Sequence, residues 1–123
     1  MAVISADSGA KHYVWGGICD GWHLVETSDL SVIQESMPPN TSEVPHRHLV
    51  ARQFFFVLNG TLSIAVPGAV HQIAANQGLE IAPGTPHRVF YASQAHVKFL
   101  VISAPASHGD RESFHGALED ADS

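Results

Sequence analysis

The chain has 123 residues, of which 45% are hydrophobic and 15% charged, a balance typical of one compact globular domain and not of a disordered segment. Twelve acidic residues against six Lys and Arg give a formal net charge of −6, which excludes a broad basic surface for nucleic acid. The single cysteine excludes an internal disulfide, and no apolar stretch approaches the roughly 20 residues that span a bilayer, so we expect a cytoplasmic protein that binds neither nucleic acid nor membrane.

Short runs rich in Val, Ile, Phe and Thr alternate along the chain with Gly, Pro, Asn and Asp, the pattern of β-strands separated by turns. We find no helix-period segment of useful length. We predict strands at 13–15, 22–26, 31–37, 44–48, 53–58, 61–65, 70–73, 79–81, 87–91 and 97–103. Ten short strands predict an all-β fold, namely a sandwich or a small closed antiparallel barrel, because such folds protect their strand edges.

Turn residues divide these strands. Asn59-Gly60 tolerates positive φ at both centres of a type I′ turn, which predicts a hairpin over 53–65. Pro67-Gly68 and Asn76-Gln77-Gly78 predict further turns. We expect residues 1–116 to form a single domain and the small and acidic residues of 117–123 to form a mobile tail.

Nine histidines are an unusual number for this length, and two of them stand at His46 and His48. Side chains at i and i+2 of a strand share a face, so these two imidazoles point together, and a turn after His48 must bring Gln53 to the same side. His87 begins a later strand after a Pro-Gly-Thr-Pro loop. In a barrel these segments would converge to give three imidazole nitrogens and one amide oxygen, a ligand set that suits divalent Fe, Ni, Mn, Co or Zn.

These segments resemble the two sequence motifs of the cupin superfamily. The first motif is usually His-x-His, three or four residues, Glu, six residues, Gly; here it reads His46-Arg47-His48, four residues, Gln53, six residues, Gly60. The second motif is similar to Gly78, the Pro83-Gly84-Thr85-Pro86 loop and His87, with Tyr91 where an Asn is often found. The resemblance implies a small antiparallel double-stranded β-helix, or jelly-roll barrel, with one divalent metal held by His46, His48, Gln53 and His87.

Gln53 stands where the cupin motif usually has an acid. A neutral amide leaves the metal its full charge and makes it a stronger Lewis acid, so we expect isomerisation or enolisation of a small anionic substrate such as a sugar acid or keto acid. The ligand set is similar to that of small cupins that convert unsaturated uronates to linear keto acids. That group also uses an Asp and an Arg near the end of the last strand, whereas here the nearest candidates, Asp110 and Arg111, lie farther along. The alternatives are an Fe(II)-dependent dioxygenase and a ligand-sensing domain without turnover.

Three residues are candidates for contacting the substrate, and none is assigned as catalytic. Phe55 shares the inward face of Gln53, and Tyr91 shares the face of His87, where its phenol can donate to a substrate oxygen. Arg111 lies in a polar segment that can fold over the barrel mouth and pair with a carboxylate.

Strand parity also predicts an apolar outer face. If Gln53 faces inward, Phe54, Phe56 and Leu58 project outward, at a cost of roughly 1.5–3 kcal/mol each in water. We therefore expect the N-terminal strands or a second subunit to cover them, and a homodimer is the predicted assembly.

Overall fold

The computed structural model describes residues 1–91, 95–107, 109–116 and 118. These residues form twelve β-strands: β1 (Lys11–Trp15), β2 (Cys19–Glu26), β3 (Ser31–Met37), β4 (Thr41–Ser42), β5 (His46–His48), β6 (Arg52–Asn59), β7 (Thr61–Val66), β8 (Ala69–Ala74), β9 (Gly78–Ile81), β10 (Arg88–Tyr91), β11 (Val97–Ala104) and β12 (Arg111–Ser113). None of the described residues belongs to a helix with the length and hydropathy that a membrane crossing requires. The tail predicted for 117–123 lies, apart from Leu118, outside these residues.

The strands form three antiparallel sheets. A six-stranded sheet has the order β1-β2-β3-β11-β6-β9, and a four-stranded sheet has the order β4-β10-β7-β8. The third sheet pairs β12 with β5, and a bridge between His46 and His87 connects it to the four-stranded sheet. Because the chain passes repeatedly from one layer to the other, the fold is the all-β antiparallel double-stranded β-helix predicted from the sequence.

All ten predicted strands are confirmed within a few residues of their predicted bounds. The structure adds β4 and β12, which have two and three residues. Neither carries an apolar alternation, because β4 reads Thr-Ser and β12 reads Arg-Glu-Ser. These two strands therefore could not be predicted from hydrophobic periodicity. They are strands because they pair with β10 and β5.

The predicted hairpin over 53–65 is wrong. β6 pairs with β11 and β9, whereas β7 pairs with β10 and β8, so the two strands flanking Gly60 lie in different sheets. A type I′ turn requires positive φ at both central residues. Gly60 has φ 89°, but Asn59 does not have a positive φ. The Asn-Gly pair is a corner between layers, because both edges of β6 are already occupied. The turns at Gly68 and Asn76 are confirmed by their φ values of 83° and 66°.

The core lies between the inner faces of the two larger sheets. Along β6, Gln53, Phe55 and Val57 are buried while Phe54 and Leu58 are exposed, which confirms the predicted parity. The N-terminal strands do not cover this outer face, because β1 and β2 extend the same sheet and are separated from β6 by β3 and β11. Four of the buried polar side chains, His46, His48, Gln53 and His87, form the site described next.

Candidate metal centre

Three buried histidines converge at the junction of the sheets. His46 and His48 are the ends of β5, and His87 immediately precedes β10. One ring nitrogen from each lies within 4.8 Å of the other two, close enough to share one metal ion. The backbones of His46 and His87 exchange two hydrogen bonds of 3.0 and 2.8 Å, which fixes the separation of their side chains.

The loop before His87 is shaped by its glycine. Gly84 has φ 80°, a conformation that favours glycine, and its N–H donates to the carbonyl of His48 at 2.7 Å. This bond ties the loop of the second motif to the strand of the first motif. The two segments that the sequence separates by about forty residues therefore meet through their backbones.

Each imidazole has its Nδ1 engaged by an oxygen. Nδ1 of His46 lies 3.0 Å from the carbonyl of Val44, and Nδ1 of His87 lies 3.0 Å from the carbonyl of Thr85. A carbonyl only accepts, so both Nδ1 atoms carry the proton and both Nε2 atoms keep a free lone pair. Nε2 of His87 is buried without a hydrogen-bond partner, which is the state of a nitrogen that can bind a metal.

Gln53 presents its amide oxygen in the same way. Its Nε2 donates to Oγ of Ser103 at 3.1 Å, and its Oε1 is buried without a partner. Gln53 lines the same cavity as His46 and His48. A bend at Leu49 and Val50 separates β5 from β6, in the place where the odd spacing from His48 to Gln53 requires a change of direction. Three imidazole nitrogens and one amide oxygen are a donor set that suits a divalent cation.

Burial keeps the imidazoles neutral. It lowers the pKa of His46 to about 3, and the neighbouring His87 and Arg111 add to the effect. It lowers the pKa of His87 to about 4, with contributions from His48 and Arg111. Only the neutral imidazole binds a metal, so both histidines are in the ligand form at neutral pH.

Asp110 supports His48, a role that the sequence analysis did not find. Its Oδ1 lies 2.7 Å from Nδ1 of His48, and its Oδ2 accepts hydrogen bonds from the N–H groups of Val50 and Ala51 at 3.1 and 2.9 Å. Burial opposes ionisation, but the hydrogen bonds outweigh it and lower the pKa of Asp110. An ionised Asp110 orients the imidazole of His48 and also fixes the turn that leads to Gln53.

A cavity of about 170 Å³ opens beside the histidines. Phe55 lines it, and its ring centroid lies 5.9 Å from that of His87. Arg111 lines it from β12, opposite His48 in the β12–β5 register, and is exposed at the mouth. The structure thus brings two of the three predicted substrate contacts to the cavity.

The structure places Tyr91 elsewhere. It is buried in the core and is not among the residues that line the cavity, although Val89, two residues earlier on the same face, does line it. Val89 and Tyr91 lie on the same face of β10 as His87, but Tyr91 is farther along the strand and packs in the core beyond the cavity.

Seven further residues line the cavity, and four of them carry polar groups: Tyr13, Trp15, Glu35 and Glu43. Glu43 Oε1 accepts the N–H of Val89 at 3.0 Å and lies 3.7 Å from Nδ1 of His46. Burial raises the pKa of Glu43 to about 7 and, together with the charge of Glu43, raises that of Glu35 to about 8. The sequence does carry a signal for Glu35, because it shares strand parity with the apolar Ile33 and Met37.

Comparison with known proteins supports the fold. Residues 33–103 match the sequence profile of the cupin domain. No curated protein is a significant match to the chain. An uncharacterised protein of Klebsiella pneumoniae with a double-stranded β-helix domain shares 18% identity at a TM-score of 0.77, over 94% of this chain and 99% of that one.

Two named proteins have similar structures. The polyketide cyclase RemF of Streptomyces resistomycificus shares 17% identity at a TM-score of 0.80, over 95% of this chain and 87% of RemF. KdgF of a Halomonas species shares 14% identity at a TM-score of 0.72, over 84% of this chain and 93% of KdgF. At such identities the similarity concerns the fold and does not select a reaction.

Proposed function

The chain belongs to the cupin domain family, and on this basis we propose that it is a metal-dependent enzyme acting on a small anionic substrate. His46, His48, Gln53 and His87 hold one divalent ion. The substrate is a sugar acid or a keto acid, and the reaction is an isomerisation or enolisation.

Two orphaned atoms support this proposal most directly. Oε1 of Gln53 and Nε2 of His87 are buried without hydrogen-bond partners. An unsatisfied buried polar atom costs about 1–3 kcal/mol, so a protein rarely keeps two of them at one place. A shared divalent cation would satisfy both atoms at once.

The residues around the cavity suit an anionic ligand. The ion would supply Lewis-acid polarisation of a substrate carbonyl. Arg111, exposed at the mouth, is placed to pair with a carboxylate as the substrate enters. Phe55 and Ile33 form an apolar wall that limits the water around the reacting carbon. The ligand set carries no negative charge, which favours binding of an anion at the ion.

The proposal is tested by metal content and turnover of the same preparation. We expect one divalent ion per chain by mass spectrometry, and conversion of unsaturated uronates or keto acids that is lost with the metal in His48→Ala. His71→Ala, on exposed β8, is the matched control and should retain both properties. Oxygen uptake by the Fe(II)-loaded protein would instead favour a dioxygenase, and tight binding without product would favour a sensor. A protein that binds no divalent metal would contradict the proposal.

We also propose that the protein is a homodimer in which a second copy covers the outer face of β6 and β11. Phe54 and Leu58 are 38% and 40% exposed, and the rings of Phe54 and Phe56 stack at 6.2 Å on this face. Ile102 and Leu100 of β11 lie opposite Phe54 and Phe56 and extend the apolar area. The sequence suggested that either the N-terminal strands or a second subunit would cover this face. Because the N-terminal strands leave it open, a second subunit is the favoured cover.

A further inference from the structure

Glu35 occupies an unusual place in the six-stranded sheet. One row of aligned residues crosses five strands, from Tyr13 on β1 through Gly21, Glu35 and Phe99 to Val57 on β6. Phe99 and Val57 are fully buried in the core, so this row faces inward. A carboxyl group beside them loses hydration, which is costly unless the group is hydrogen-bonded or paired. Glu35 instead lines the cavity that the histidines open into.

Gly21 allows a phenol to lie beside this carboxyl group. A Cβ at Gly21 would collide with the end of the Tyr13 ring, so the ring lies across the strand where Gly21 has no side chain. Tyr13 and Glu35 flank Gly21 in the row, and both line the cavity. Burial, with a contribution from Glu35, raises the pKa of Tyr13, so the phenol remains a hydrogen-bond donor.

The carboxyl group of Glu35 is not committed to the protein. Within the part of the chain that the structure describes, it accepts no hydrogen bond and forms no ion pair. Glu43 differs, because its Oε1 already accepts the Val89 N–H and lies beside His46. Of the two cavity carboxyls, Glu35 is therefore the one available to a ligand.

The charges that face Glu35 adjust its affinity for protons. Burial and the carboxyl of Glu43 raise the pKa of Glu35, and the guanidinium of Arg111 opposes them. The net result is a rise from 4.5 to about 8. An acid–base group acts most effectively when its pKa lies near the working pH. Glu35 thus holds a proton near neutral pH and can release it to or regain it from a partner.

We propose that Glu35 is a catalytic acid–base residue, which moves a proton between two atoms of the substrate bound beside the histidines. This inference rests on the proposed enolisation chemistry. The substrate C–H bond next to the carbonyl breaks, its electron pair becomes the C=C bond of an enolate, and the π pair of the carbonyl moves to its oxygen. The proton forms an O–H bond on ionised Glu35. Return of that proton to a second atom completes the isomerisation, and no oxidant or reductant is consumed. Tyr13 is a positioning residue that donates a hydrogen bond to a substrate oxygen.

The test follows hydrogen exchange into the carbon-bound positions of pyruvate and 2-oxobutyrate. The metal-loaded protein is incubated with each keto acid in D2O, and the methyl or methylene signal is followed by NMR. We expect exchange above the rate of the free metal ion, and a loss of roughly 100-fold or more in Glu35→Gln with unchanged metal content and unchanged keto-acid affinity. Glu80→Gln, at an exposed position of β9, is the matched control and should exchange at the parent rate.

Two further measurements separate a catalytic role from a structural one. Exchange by the parent should rise with pH as Glu35 ionises, whereas residual exchange in Glu35→Gln should not follow this titration. Glu35→Asp should recover part of the exchange rate because it restores the carboxyl group. It also provides a second test of the carboxyl group if Glu35→Gln does not fold. Parent-like exchange in folded, metal-loaded Glu35→Gln would overturn the role of Glu35 alone. Parent protein that binds metal but exchanges no faster than free metal would overturn the proposed enolisation and this inference with it.

Discussion

Nδ1 of His48 and Oδ1 of Asp110 lie 2.7 Å apart although 62 residues separate them in the chain. The contact joins the first motif to β12, because Arg111 pairs with His48 in the same two-stranded sheet. The uronate-converting cupins that the sequence resembles use an Asp and an Arg near the end of the last strand. Here the pair arrives from a later segment, and both side chains reach the site.

Asp110→Asn should weaken metal binding. An uncharged amide accepts a weaker hydrogen bond from the protonated Nδ1 of His48 than a carboxylate does. We therefore expect the affinity for the metal ion to fall about 10- to 100-fold. Competition with a chromophoric chelator measures this change. Glu112→Gln is the control, because Glu112 pairs with Arg47 at 2.9 Å on the opposite face of the β12–β5 pair. Equal affinities in the parent and Asp110→Asn would show that Asp110 does not support the metal site.

Gln53→Glu should retain the metal and change the reactivity. The carboxylate replaces the amide oxygen but neutralises part of the ion's charge, which weakens its Lewis acidity and repels an anionic substrate. We expect a fall in kcat/KM of roughly tenfold or more at unchanged metal content. Steady-state kinetics on the substrate found by the turnover screen measure it. Unchanged kinetics would show that the ligand charge does not control the reaction.

Glu35 should make stability depend on pH. Its folded pKa of about 8 lies above the ordinary value of 4.5, so the stability it contributes is fully present below about pH 4.5 and is lost as pH rises through about 8. Between pH 5 and 8.5 the metal-free parent should lose roughly 10–15 °C more in Tm than Glu35→Gln. His46, His87 and Glu43 titrate in both proteins, so the difference reports Glu35 together with its coupling to Glu43. Parallel Tm curves would contradict the raised pKa.

Phe54→Glu should separate the proposed dimer. A charge in the middle of the outer face of β6 and β11 would be buried without a partner at the dimer contact. Light scattering after gel filtration should give the mass of one chain, with an unchanged far-ultraviolet spectrum. Ile18→Glu, in the turn between β1 and β2 and 62% exposed, should leave the mass of two chains. A parent protein with the mass of one chain would rule out the dimer.

Gly60→Ala should destabilise the corner between the two sheets. Its positive φ is strained for alanine, and a Cβ there would lie 3.3 Å from Cα of Val97. We expect a loss of about 1–3 kcal/mol in the free energy of unfolding, measured by urea titration. Gly68→Ala is the matched comparison, because its φ is also positive but no atom lies within 4 Å of the added Cβ. A similar loss in both variants would show that the backbone strain, and not the close packing, dominates.

The sequence by itself determined ten of the twelve strands and the histidine pair. Alternation with a period of two follows from the pleat of a single strand, so β6 reveals which of its side chains face inward without reference to any partner. The His-x-His spacing places two imidazoles on one face for the same reason. These are local properties of the chain, and the structure confirms them.

Only the tertiary structure decided which segments meet. The Asn59-Gly60 turn is locally compatible with a hairpin, yet the pairing of β6 with β11 and β9 sends the chain to the other sheet. Asp110 reaches His48 because β12 pairs with β5. Glu35 lines the cavity beside His46 and His48 because its pairing with the buried Phe99 puts it on the inner face of the sheet. These contacts depend on hydrogen bonds between strands distant in sequence, and no local pattern in either segment specifies its partner.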